Sequence, residues 1–90
     1  MSVLESYIER QVVKAAEASG FMQRKIVYQN RAGSPDRWFF GPGGRLIIVE
    51  FKRPGEVPEP HQKREIARLR GLGFEVHVID NVADGRALFL

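Results

Sequence analysis

From Ser2 to Ser19 the apolar residues Leu4, Ile8, Val12, Ala15 and Ala16 recur at three- and four-residue steps. That is the period of a helix with one buried face, with Ser2 as candidate N-cap and Gly20 as stop. The apolar arc centres near Ile8, which places Glu5 inside it, between Val12 and Ala16, and Glu9 on its border. An extended segment follows over Lys25 to Gln29, with Ile26 and Tyr28 on one face and Val27 on the other. Gly33, Ser34 and Pro35 punctuate a turn, and Asp36 to Phe40 reads as a second strand carrying the aromatic trio Trp38, Phe39 and Phe40. These aromatics are read as core or interface residues rather than base-stacking platforms.

Gly41-Pro42-Gly43-Gly44 closes a hairpin into a third strand, Arg45 to Lys52. Its run Leu46 to Val49 is continuously apolar, as in a strand buried on both faces. After a loop stiffened by Pro54, Pro58 and Pro60, the segment His61 to Leu72 is helical, with Pro60 in its first turn. Gln62 shares the apolar face of Ile66 and Leu69, while Lys63, Arg64, Arg68 and Arg70 lie elsewhere. Glu75 to Ile79 alternates as a fourth strand, and Asp80 to Leu90 gives a turn and a short terminal helix or strand. The order is α-β-β-β-α-β, an α/β sandwich with a mixed central sheet.

Composition narrows the class. Ninety residues at 43% hydrophobic content predict one domain over residues 1–90 with a small core. The absence of cysteine removes disulfides and thiolate metal sites and fits a reducing compartment such as the cytoplasm. The charged start MSVLESYIERQ predicts neither a signal peptide nor a membrane span. A net charge of +3 suits a polyanionic partner.

The chemistry concentrates between Gly33 and Lys52. Side chains alternate along a strand, so Glu50 and Lys52 project from one side, and the hairpin can bring Asp36 alongside them. Opposite charges at the end of a buried strand are costly unless they act together. The alternative, a surface ion pair at a fraying strand end, fits poorly with the apolar run that precedes them. Two carboxylates and a lysine are what metal-assisted phosphodiester cleavage requires. Asp36 and Glu50, with the Phe51 backbone carbonyl, would hold Mg²⁺ or Mn²⁺. Lys52 would orient a water or neutralise charge at phosphorus. Gln62 could position the nucleophile or a phosphate, and Glu5 could complete the shell of the metal. Arg31, Arg37, Lys63, Arg64 and Arg68 could line a phosphate path.

GSPD, IIVEFK and PHQ, in this order, resemble the PD-(D/E)xK superfamily with its restriction-endonuclease-like core, and more closely the virus-type replication-repair nuclease (VRR-NUC) family. The resemblance also takes in LESYIERQVVKAAEASG and VHVID, nearly the whole chain. It implies a Mg²⁺- or Mn²⁺-dependent, structure-selective DNA nuclease. Small stand-alone members, commonly from phages and bacteria, are similar to Holliday-junction resolvases that act as homodimers. Asp36 and Glu50 match the metal-binding acids of that family, Lys52 the motif lysine, and Gln62 the glutamine of the following helix. Glu5 is the preferred match for the acid of the N-terminal helix, with Glu9 competing. The alternatives are a catalytically idle DNA-binding subunit and a flap- or nick-type repair nuclease. A two-fold dimer suits a four-way junction, and either the aromatic strand Trp38 to Phe40 or the apolar tail Ala87 to Leu90 could form its surface.

Overall fold

The continuous apolar run becomes the centre of the sheet. In the computed structural model, which describes residues 2–90, Leu46–Phe51 forms β3, and Ile47, Ile48 and Val49 have no exposed surface. To one side β3 pairs antiparallel with β2 (Arg37–Phe40), which pairs antiparallel with β1 (Met22–Lys25). To the other side it pairs in parallel with β4 (Glu75–Ile79), giving the mixed order β1-β2-β3-β4. The parallel pairing requires a crossover. α2 (Pro60–Gly71) supplies it, with Pro60 in its first turn.

Alternation along β3 divides the core into two layers. Ile47, Val49 and Phe51 face α1 (Val3–Ala18) and pack with its Ile8, Val12 and Ala16. Ile48 faces α2 and packs with Ile66 and Val76, with Trp38 and Leu69 partly buried against them. Ser2 caps α1, its hydroxyl accepting from the Glu5 N–H at 3.1 Å, and Gly20 leaves the helix at φ +85°. The C-terminal segment resolves into α3 (Val82–Ala87), capped by Asn81, whose side chain accepts from the Asp84 N–H at 2.8 Å. Among the described residues no helix is long and apolar enough to cross a membrane.

Three expectations shift. The first strand lies at Met22–Lys25 rather than Lys25 to Gln29. Its polar sequence MQRK forms an edge strand held by backbone pairing, so apolar alternation does not mark it, and Val27 ends 81% exposed. Along α1, Leu4 is exposed and Glu9 is buried, because Arg37 on β2 donates from Nε to Glu9 at 2.7 Å and neutralises it. The tail Ala87 to Leu90 divides: Leu90 is exposed, whereas Phe89 turns inward. Phe89 is buried in the chain's own core against Phe21 and Phe39, at ring-centroid distances of 5.0 and 4.9 Å.

α3 can pack closely on α1 because Gly85 has no side chain. A Cβ there would stand 2.3 Å from Val12 Cγ2 and 3.1 Å from Ile79 Cγ2, and β-branched side chains cannot rotate away. Gly85→Ala is expected to destabilise the fold by ~1–3 kcal/mol in chemical denaturation. Gly71→Ala, with nothing within 4 Å of the added methyl, serves as the control and is expected to be neutral or slightly stabilising. Equal midpoints for the two variants would refute the close-approach explanation.

Candidate active site

The β2–β3 register determines which groups meet. Arg37 pairs with Val49, so the next step of the same register sets Asp36 opposite Glu50. Directly opposed residues of an antiparallel pair share a face, and Glu50 shares the face of Ile48, toward α2. Beyond the end of β2 the ladder has no backbone acceptor left for the Phe51 N–H, and Asp36 Oδ2 takes it at 2.8 Å. One oxygen of that carboxylate is thereby tied to the strand end. On the other flank the Lys52 N–H donates to the Ile79 carbonyl at 2.9 Å, which holds the last residues of the strand in line with β4.

Glu50 is 3% exposed and Lys52 9%. Lys52 Nζ stands 3.5 Å from Glu50 Oε2, and Gln62 Nε2 donates to the same oxygen at 3.1 Å. The other oxygen, Oε1, is buried with no hydrogen-bond partner among the described residues. Gln62 is itself held at the start of α2, its Oε1 accepting from the Glu59 N–H at 2.9 Å, the glutamine arm of a capping box. Burial drives the Glu50 carboxyl up to about 7, and the neighbouring Asp36 charge adds to the rise against the opposing pull of Lys52. Asp36 is raised by burial too, with the Phe51 N–H working the other way and Glu9 adding to the rise. Glu5, half-buried on α1, is raised by burial and then by the charge of Asp36, while Lys52 lowers it.

No family model matches the sequence. Among curated proteins, the chain is 43% identical over 79 residues to "Putative nuclease p44" of Acyrthosiphon pisum secondary endosymbiont phage 1, covering 88% of this chain and 85% of the phage protein. Among solved structures, it superimposes on a VRR_NUC domain with a TM-score of 0.91 and 32% identity, over 97% of this chain and 95% of the other. The chain belongs to the VRR-NUC family. Its mixed four-stranded sheet between helices is the restriction-endonuclease-like fold of that family.

Within the VRR-NUC frame, the structure brings Asp36, Glu50, Lys52 and Gln62 to one end of the sheet, with Glu5 close enough to feel both Asp36 and Lys52. Glu9 also acts on Asp36, but its carboxylate is already engaged by Arg37. No three aspartate, glutamate or histidine side chains gather into a ready-made metal cage among the described residues. The donor set suits a hard divalent cation nonetheless. It offers two desolvated carboxylates, with Asp36 raising the proton affinity of Glu50, whose buried Oε1 is unpartnered among the described residues. A cation of the Mg²⁺ type needs only one or two protein carboxylates and keeps several waters.

The proposed cations on the phosphate path divide. Lys63 and Arg64 are exposed on α2 with no ion pair among the described residues. Arg31 and Arg68 both reach Glu65, at 3.5 and 3.2 Å, yet keep more than half of their side-chain surface exposed. Arg37 departs from the expectation. It is spent on Glu9 and Gln23 beneath α1, so it is a structural cation rather than a free one. That pair escaped the sequence reading because its members lie 28 residues apart. The capping box around Gln62 was open to it, since Glu59-Pro60-x-Gln62 carries the spacing.

The raised carboxyl of Glu50 has a consequence for stability. With divalent cations chelated, folded Glu50 keeps its proton up to about 7, whereas unfolded Glu50 ionises near 4.5. The folded state binds the extra proton between those values, so the stabilisation is complete below the lower one and is lost as pH rises through the upper one. Melting temperature is expected to fall over that window. Glu50→Gln, which cannot ionise, should flatten the slope and melt above wild type at pH values beyond 7. A variant that melts with the wild-type pH profile would contradict this account of Glu50.

Proposed function

We infer that the chain is a Mg²⁺- or Mn²⁺-dependent DNA endonuclease that hydrolyses phosphodiester bonds in branched DNA as a homodimer. Four-way junctions are the favoured substrate, and the cytoplasm of a bacterial or phage-infected cell is the setting. Family membership and the likeness to a phage protein named as a nuclease support the general activity. The observation that carries the site assignment is the opposition of Asp36 and Glu50 across the β2–β3 ladder beside Lys52.

In this reading Asp36, Glu50 and the Phe51 carbonyl would hold the cation, which would supply Lewis acidity for the scissile phosphate and an attacking water. Lys52, held by Glu50, presents its ammonium where charge grows on the phosphoryl oxygens. Gln62 spans from the Glu59 N–H to Glu50 Oε2 and keeps that carboxylate from turning, which leaves Oε1 free to serve as the ligand atom. Glu5 lies at the outer edge, where its raised proton affinity suits it to accept a proton from the water or to support the cation. Lys63, Arg64, Arg31 and Arg68 lie on or beside the same helix as Gln62 and would bind backbone phosphates without reading bases.

For the dimer, the favoured candidate is the α2-side face of β1 and β2. Met22 and Phe40 are paired there, 48% and 37% exposed, next to Trp38. Sedimentation is expected to show a dimer at micromolar concentration that Phe40→Glu converts to monomer. A stable wild-type monomer would remove the two-fold model of junction cutting.

The activity is tested on labelled four-way junctions, flaps and duplexes with Mg²⁺ or Mn²⁺. Asp36→Asn keeps an acceptor for the Phe51 N–H and so preserves the strand end, yet it is expected to lose cleavage by about a hundredfold or more, as is Lys52→Ala. Chelation should abolish cutting. Undiminished cutting by either variant would refute the site assignment. Junction binding without cutting by wild type would favour the catalytically idle DNA-binding subunit, and cutting confined to flaps or nicks would favour the repair-nuclease alternative.

A further inference from the structure

The segment between β1 and β2 is a closed loop. At its neck the Ile26 N–H donates to the Asp36 carbonyl at 3.3 Å, and the Ser34 hydroxyl donates to the Ile26 carbonyl at 3.0 Å. Asp36 is thus the residue on which the loop ends. The body of the loop docks on α2. The Tyr28 hydroxyl donates to Glu65 Oε2 at 2.8 Å, and Arg31 reaches Glu65 Oε1 at 3.5 Å. Between them Gly33, at φ +98°, lies so close to the helix that a Cβ would meet the His61 carbonyl at 3.2 Å and Glu65 Cβ at 3.5 Å. Arg68 donates to the same Glu65 Oε1 at 3.2 Å. Glu65 lies one helical turn after Gln62; it pairs with Arg31 and Arg68 of the phosphate path and is not a metal ligand in the reading above.

Asp36 and Gln62 come from different parts of the fold, and the sheet register fixes only one of them. Something must set the distance between the loop that delivers Asp36 and the helix that delivers Gln62. We propose that Glu65 is a positioning residue that, through Tyr28, clamps the 26–36 loop to α2 and thereby holds Asp36 in place against Gln62 and Glu50. Its hydrogen bond to Tyr28 is the essential arm; Arg31 and Arg68 orient the carboxylate. Metal-site geometry depends on such supporting contacts as strongly as on the ligands.

The proposal deepens the nuclease reading, and it also has a readout independent of activity. The Phe51 N–H is bonded to Asp36 Oδ2, so its hydrogen exchange, followed by NMR in labelled protein, reports where Asp36 stands. In Tyr28→Phe and Glu65→Ala the Phe51 amide is expected to exchange faster than in wild type, while the Val49 amide in the same strand does not change. The Mn²⁺ concentration giving half-maximal junction cleavage should rise about tenfold in both variants. Glu65→Gln retains an oxygen to accept from Tyr28 and is expected to stay near wild type in both measurements. Three results would overturn the proposal: an unmoved Phe51 amide, acceleration shared by every sheet amide, or a moved amide with an unchanged Mn²⁺ midpoint. If wild type cuts no DNA, the nuclease reading falls while the Phe51 amide alone still decides the role of Glu65.

Discussion

A carboxylate taken out of water at the end of a buried strand is the constraint around which the rest of this molecule is arranged. Glu50 follows three fully buried β3 residues and faces α2, where water cannot reach Oε1. Burial alone would neutralise it. Around it the fold places one ammonium, one amide and one further carboxylate, each anchored by a different element. Lys52 and Gln62 restrain Oε2 and leave Oε1 without a partner, and Asp36 makes the negative charge worse rather than better. A stability-driven arrangement would replace such a cluster with apolar side chains. Stability alone does not account for such a cluster in the core of a small protein, and that is the physical ground of the metal-site reading proposed above.

The β2–β3 hairpin decides whether the two acids meet. A slip of one residue would send Asp36 to the opposite face from Glu50. The turn excludes that slip. The Gly41 N–H donates to the Arg45 carbonyl at 2.7 Å, and Gly43 and Gly44 both adopt positive φ, at 71° and 79°. Gly41 is pressed against the Phe21 ring, where a Cβ would stand 2.4 Å away. A glycine-rich turn at one end of the hairpin therefore sets the chemistry at the other. The same face of β3 that carries Glu50 carries Ile48, so α2 is drawn over it by apolar packing and brings Gln62 with it.

Much of this was legible in the chain. The apolar run of β3, the alternation of β4 and the helical periods of α1 and α2 each reflect burial on a regular lattice, which leaves its period in the sequence. Asp36, Glu50, Lys52 and Gln62 were equally readable, because three of them lie on one hairpin and the fourth on an apolar helical stripe. Where burial is absent the signal fades. β1 is a polar edge strand whose cohesion comes from backbone hydrogen bonds, which any sequence can make, and its position was misread by three residues at its start. Phe89 looked like a sticky tail because nothing local announces that Phe21 and Phe39 will close around it.

The sequence by itself determined α1, α2, β4, the central strand β3 and the acid–lysine pair, since each depends on neighbours within a few residues. Tertiary structure alone decided what those residues face. It buried Glu9 by bringing Arg37 beneath it and docked the 26–36 loop on Glu65. It also left one oxygen of Glu50 without a partner. These outcomes depend on electrostatic and hydrogen-bond partners tens of residues apart, whose pairing has no period to read and exists only once the chain has closed on itself.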